Sequence, residues 1–120
     1  MSEEWIARVV LFLAMGAAGG VLVWMARAAA SGRLTRNALA GIRTPSTMAS
    51  DAAWLAAHRR AERPTQLAGV VSIVAAIIAL IPMPEVALIA VVLTGAAAMV
   101  ALVAYGAVVG GRAAREADER

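Results

Sequence analysis

Asn37, Gly41, Arg43, Thr44, Pro45, Ser46 and Thr47, followed by Trp54 and the pair His58-Arg59, concentrate the chemically versatile side chains of a 120-residue chain into one short stretch. Metal binding is the first chemistry to consider. His58 and Glu62 have i, i+4 spacing, but zinc takes three or four ligands. There is one histidine and no cysteine, and Asp51 lies about 10 Å from His58 along a helix axis. No metal site or other cofactor is therefore assigned, and Glu62 is expected to form a surface ion pair with His58 or Arg59. Nucleophilic catalysis is the second. Thr44, Ser46 and Thr47 lie near Arg43, but no base with an orienting carboxylate accompanies them at a usable spacing. No catalytic residue is assigned, and the chain reads as a non-enzyme. Anion binding is the third: Arg43, three hydroxyls and a following helix N-terminus suit a phosphate headgroup or a peptide carboxylate. Against it stands a purely structural reading, in which Asn37, Arg43, Thr47 and His58 satisfy one another and the nearby helix ends. The residues alone leave these two open.

The elements that hold these groups follow from local chemistry. Ser31 to Ala40 reads as a helical continuation or a short separate helix, with Gly41 ending it as the C′ residue and Asn37 one turn earlier. Pro45 drives Thr44 toward an extended conformation, so Ile42 to Ser46 should form an ordered strap. A second helix then begins with Thr47 or Ser50 as N-cap and Asp51 at the positive end of its dipole, running through alanines and arginines to Arg63. On it Asp51, His58 and Glu62 share a stripe roughly 40° wide, flanked by Trp54 and Leu55, with Arg60 and Arg63 turned away. This amphipathic face is expected to meet the membrane surface or the polar ends of the spans, with Trp54 at the interface.

The rest of the chain is membrane-like. Hydrophobic residues make up 62% and mean hydropathy is +0.77, which excludes an ordinary water-soluble domain. The reading is an all-α membrane protein with one membrane domain. Three transmembrane helices cover about 5–30, 66–83 and 86–110, a cytoplasmic connector covers 31–65 and a cytoplasmic tail 111–120. Pro82 and Pro84 break the chain between the second and third spans. Trp5 and Trp24 are separated by about 28 Å at helical rise, close to the roughly 30 Å hydrocarbon thickness, and suit interfacial anchoring. Tyr105 has a similar place on the third span. Arg8, one turn inside Trp5, is expected to snorkel to the headgroups. An acidic start at Glu3 and Glu4 and a long apolar core favour a retained span over a cleaved signal peptide.

All 11 basic residues are arginine, and formal net charge is +3. That excess bears on orientation and anionic headgroups; no basic patch with interleaved aromatics points to nucleic acid. Arginines fill the connector and tail and are absent from the hairpin, so the N-terminus is expected outside and the connector and C-terminus in the cytoplasm. Gly16 and Gly20, and Gly106 and Gly110, form Gly-xxx-Gly pairs suited to close helix packing, within one chain or in a homodimer. A dimer with six spans would better shelter a polar network.

The order Asn37-x-x-x-Gly41-Ile42-Arg43-Thr44-Pro45-x-Thr47, then Ser50, Trp54 and His58-Arg59, resembles the signature of the SdpI family, bacterial membrane proteins named after an immunity protein against a secreted toxic peptide. Family aromatics before the glycine and after the proline are replaced here by Leu39, Ala40 and Ser46, and the better-known member has further spans before the signature. The resemblance implies a multi-pass protein of the bacterial cytoplasmic membrane that protects the envelope against a membrane-active toxic peptide. A cytoplasmic regulator is a further implied partner, since the namesake is associated with signalling. Two other functions compete: a lipid- or anion-binding enzyme or transporter using the connector, and a structural small subunit of a larger membrane complex.

Overall fold

The computed structural model describes residues 2–119, among which every regular element is a helix: α1 (Glu3–Ala30), α2 (Asp51–Ile78) and α3 (Glu85–Glu119). Each is long and apolar enough to cross a membrane. Helix α1 starts where the Ser2 hydroxyl accepts the Trp5 N–H at 3.2 Å, with Glu3 and Glu4 on the positive end of its dipole. Helix α2 starts in the same way, the Ser50 hydroxyl accepting the Ala53 N–H at 3.0 Å. Of the two expected N-caps, Ser50 takes the role.

Several boundaries differ from the sequence reading. The Asp51–Arg63 helix and the second span are one element, unbroken at Pro64, so the connector contributes no separate helix. That element ends at Ile78, short of Met83. Residues 111–119 prolong α3 by more than two turns where a tail was expected. Ser31 to Ala40 is not helical: it passes through turns and bends. The residue that closes α1 is Gly32, at φ +85, with its N–H bonded to the Ala29 carbonyl, nine positions before the glycine expected there.

Helix α2 packs against both α1 and α3 and stands between their backbones. Its apolar window has the lowest mean hydropathy of the three, 1.2 against 2.2 and 2.7, yet it is the most buried. This follows from a lipid solvent: outer helices must be apolar on their surfaces, whereas a helix enclosed by protein can carry small and polar residues. The α1–α2 seam is a backbone approach in which Gly19 and Gly69 each leave no room for a Cβ against the other's carbonyl oxygen. Beside it the Ser72 hydroxyl donates to the Met15 carbonyl at 2.7 Å. The Gly16 and Gly20 pair does not make this seam, since a Cβ on Gly20 would meet nothing within 4 Å. The other pair does pack within the chain: Gly106 lies against Pro64 and Thr65, and Gly110 against the Ala57 carbonyl.

Trp5, Trp24 and Tyr105 are exposed, as membrane-anchor residues would be. Arg8 is not a snorkelling side chain. It is 3% exposed and reaches across the bundle to the α2–α3 hairpin, donating to the Ile81 and Met83 carbonyls at 2.6 and 2.7 Å. Glu4 lies 3.3 Å from the same guanidinium. The molecule measures 57 × 21 × 18 Å, so its long axis exceeds a hydrocarbon layer of about 30 Å. At the end away from the hairpin, the first half of α2 packs against the last turns of α3, around Ala53, Ala57 and Ala114.

Candidate functional site

The connector, residues 31–50, folds over this end, and the side chains singled out by type and spacing meet there. Asn37 begins the arrangement. Its Oδ1 accepts the N–H groups of Leu39 and Ala40, both at 2.8 Å, while its Nδ2 donates to the Thr35 and Ala40 carbonyls at 2.8 and 3.0 Å. An amide that turns the chain in this way competes with helix formation, which explains why Ser31 to Ala40 is bent.

The turn delivers Gly41 to the α2 surface at φ +105. A Cβ here would stand 2.5 Å from the Trp54 ring and 2.9 Å from His58 Nε2. Glycine is thus required twice over, by the left-handed backbone and by close approach to two rings. The Gly41 N–H is directed at the Met25 sulfur at 3.1 Å. Nothing in the sequence marked Met25, an apolar residue in an apolar span; only the fold brings it to the connector.

Trp54 and His58, one turn apart on α2, are buried at 3% and 5% exposure. Their ring centroids are 4.1 Å apart at a 36° tilt. The indole N–H donates to the Leu34 carbonyl at 2.9 Å, so Trp54 faces protein and not the membrane interface. The imidazole is bound on both sides: Nε2 accepts the Ile42 N–H at 2.9 Å, and Nδ1 lies 2.8 Å from the Trp54 carbonyl. An amide N–H can only donate, so Nε2 is the unprotonated nitrogen and Nδ1 carries the hydrogen toward Trp54. Burial lowers the His58 pKa from 6.5, opposed in part by the bond to the Trp54 carbonyl. The geometry and the electrostatics both favour neutral imidazole.

Beyond Ile42 the strap closes on Thr47, which is fully buried. Its hydroxyl donates to the Ile42 carbonyl at 2.6 Å and accepts the Thr44 N–H at 2.9 Å. The Thr44 hydroxyl accepts the Thr47 N–H at 3.3 Å in return. Pro45 is exposed and opens the turn through Met48, whose N–H reaches the Thr44 carbonyl at 3.0 Å. Arg43 and Arg59 are exposed. Arg43 Nε donates to the Asn37 carbonyl at 3.0 Å, and Arg59 Nε to the Ala30 carbonyl at the end of α1 at 3.3 Å.

Asn37, Gly41, Thr44, Thr47, Trp54 and His58 are therefore brought into one network built largely on main-chain partners, with Arg43 and Arg59 at its rim. Asp51 and Glu62 do not join it. Asp51 points outward to Arg36 Nε at 2.8 Å, and Glu62 forms no ion pair among the described residues, contrary to the pair expected with His58 or Arg59. The shared stripe fails because the connector covers only part of it, over Trp54 and His58. Among the described residues no group of three acidic, histidine or cysteine side chains is placed to hold a metal.

No curated protein and no solved structure matches the chain. The model of one protein family does, over residues 33–109, which include the whole network and the α2–α3 hairpin. With that match covering more than half of its length, the chain belongs to the SdpI/YfhL protein family.

Proposed function

We propose that this membrane protein is non-enzymatic and protects the cell envelope against a membrane-active toxic peptide. The observation that carries the reading is the inward commitment of the polar groups in the family signature. Asn37, Thr47, Trp54 and His58 direct their polar atoms to main-chain groups of the connector and of α2, forming a cap on the bundle. The link to immunity comes from the resemblance to the family's namesake, an immunity protein against a secreted toxic peptide. The arginines of the connector and of the end of α3, with none in the hairpin, favour a cytoplasmic connector and C-terminus in a bacterial cytoplasmic membrane. The test is a killing assay with secreted membrane-active peptides on cells that have or lack the protein. Protection should require the chain and be lost in Gly41→Val, with membrane insertion confirmed separately. Equal killing across the whole panel would end this reading.

A second reading is favoured by Arg43, whose exposed guanidinium is held at the connector rim through Nε alone. It makes the rim a site for a phosphate or carboxylate group. Arg43→Ala should then abolish anion binding, measured by calorimetry with the inserted protein, and leave the fold unchanged.

A further inference from the structure

Along one side of the bundle, α2 and α3 are parted by an open groove in two segments that meet at Val70. The segment nearer the connector has a volume of about 530 Å3 and mostly apolar walls, and the residues lining it include Arg63, Gln66 and Tyr105 beside Leu67, Val70 and Leu102. The second encloses about 460 Å3 and continues past Val74, Ile78 and Val91 between walls that are almost entirely apolar. The groove thus has an arginine, a glutamine and a tyrosine at its connector end, the head, and continues as an apolar channel.

The head has the chemistry for a phosphate ester. Arg63 is exposed and takes part in neither ion pair of the described residues. Among the arginines at this end it is the one that lines the groove, and Arg33, Arg36, Arg43 and Arg59 are directed to Ser31, Asp51, the Asn37 carbonyl and the Ala30 carbonyl. No carboxylate lines the head to compete for the Arg63 guanidinium. Tyr105 is 54% exposed, and with Gln66 it adds two hydrogen-bond donors on the same rim.

The dimensions fit one leaflet. From Arg63 to Val74 the helix rises by about 16 Å, near half of a hydrocarbon layer of about 30 Å. A phosphate at Arg63 would place an attached acyl chain in the channel without leaving its own leaflet.

We propose that this groove is a binding site for an anionic phospholipid. Arg63 holds the phosphate, Gln66 and Tyr105 hydrogen-bond to it or to the headgroup, and one acyl chain lies between α2 and α3. The site is separate from the connector network, and the proposal stands whether or not the protein protects against a peptide.

The experiment is native mass spectrometry of the full chain in mild detergent, supplied in turn with dioleoyl phosphatidylglycerol, dioleoyl phosphatidylcholine and dihexanoyl phosphatidylglycerol. Dioleoyl phosphatidylglycerol should be retained about tenfold over dioleoyl phosphatidylcholine, a difference of about 1.4 kcal/mol: both bring a phosphate to Arg63, but choline adds a second positive charge beside the guanidinium and has no hydroxyl for Gln66 or Tyr105. Arg63→Ala should remove that preference and Tyr105→Phe reduce it, while Arg43→Ala leaves it in place. Val74→Trp, which fills the channel, should lower retention of the dioleoyl lipid, and the short-chain lipid should bind weakly throughout. Equal retention of the two dioleoyl lipids would overturn the proposal, as would a preference that Arg63→Ala leaves intact or Arg43→Ala removes. Equal binding of long- and short-chain phosphatidylglycerol would overturn the acyl channel.

Discussion

The two ends of the bundle face the same difficulty and meet it differently. At each, the chain leaves one helix and enters another, exposing carbonyl and amide groups that need partners. At the hairpin end the link from α2 to α3 is six residues long, and one buried arginine from α1 binds two of its carbonyls. At the connector end the link is twenty residues long, and an amide, two hydroxyls, an indole and an imidazole share the work. A short proline-set turn needs one strong donor. A long irregular segment needs several directional groups, each fixing a different stretch of backbone, and it becomes a surface with a definite shape.

The comparison can be broken at Gly41. Gly41→Ala combines a left-handed backbone with overlap of two rings, and should cost about 3 kcal/mol. Thermal unfolding in detergent would read the loss, and limited proteolysis should cut between residues 31 and 50 while the hairpin stays intact. If the hairpin end opened first, the two ends would not be independent.

Arg8→Ala probes the other end. It leaves the Ile81 and Met83 carbonyls without their charged donor and should cost about 2 kcal/mol. Hydrogen exchange should rise around residues 79–84 and stay unchanged at Ile42.

A pH titration separates the ends more finely, since the single histidine, His58, lies at the connector end on α2. Folding holds the His58 pKa below 6.5, so the unfolded chain takes up the proton first as pH falls. The stability His58 gives is therefore complete above about 6.5 and declines as pH drops from there toward the lower folded value. A proton on Nε2 would also face the Ile42 N–H. The protection factor of the Ile42 amide, taken relative to the base-catalysed rate of a free amide at each pH, should fall over this window in the native chain, and His58→Gln should remove the dependence.

The smallest effect belongs to the exposed Arg36–Asp51 pair, where Asp51→Asn should change stability by about half a kcal/mol or less. A larger loss, measured by the same unfolding transition, would mean that the connector is held from its outer side as well as from within.

The sequence by itself determined the membrane class, the three apolar segments, the turn at the two prolines and the set of connector residues that belong together. Hydropathy and proline chemistry act locally, and their consequences can be counted along the chain. The family resemblance was legible for the same reason, as residue types in a fixed order. What the tertiary structure decided was where those groups point. Trp54 and the membrane face are the clearest case, because an indole on an amphipathic helix suits lipid until a connector covers it. Gly41 was legible as a glycine with a special conformation, but it closes no helix; its reason is a contact with rings 13 and 17 residues away in sequence. Arg8 looked like a snorkelling residue because it lies one turn inside Trp5, where a long stem can carry a guanidinium back to the headgroups. Its partners are carbonyls more than seventy residues away, and only the packing of α1 on α2 brings them within a hydrogen bond's reach.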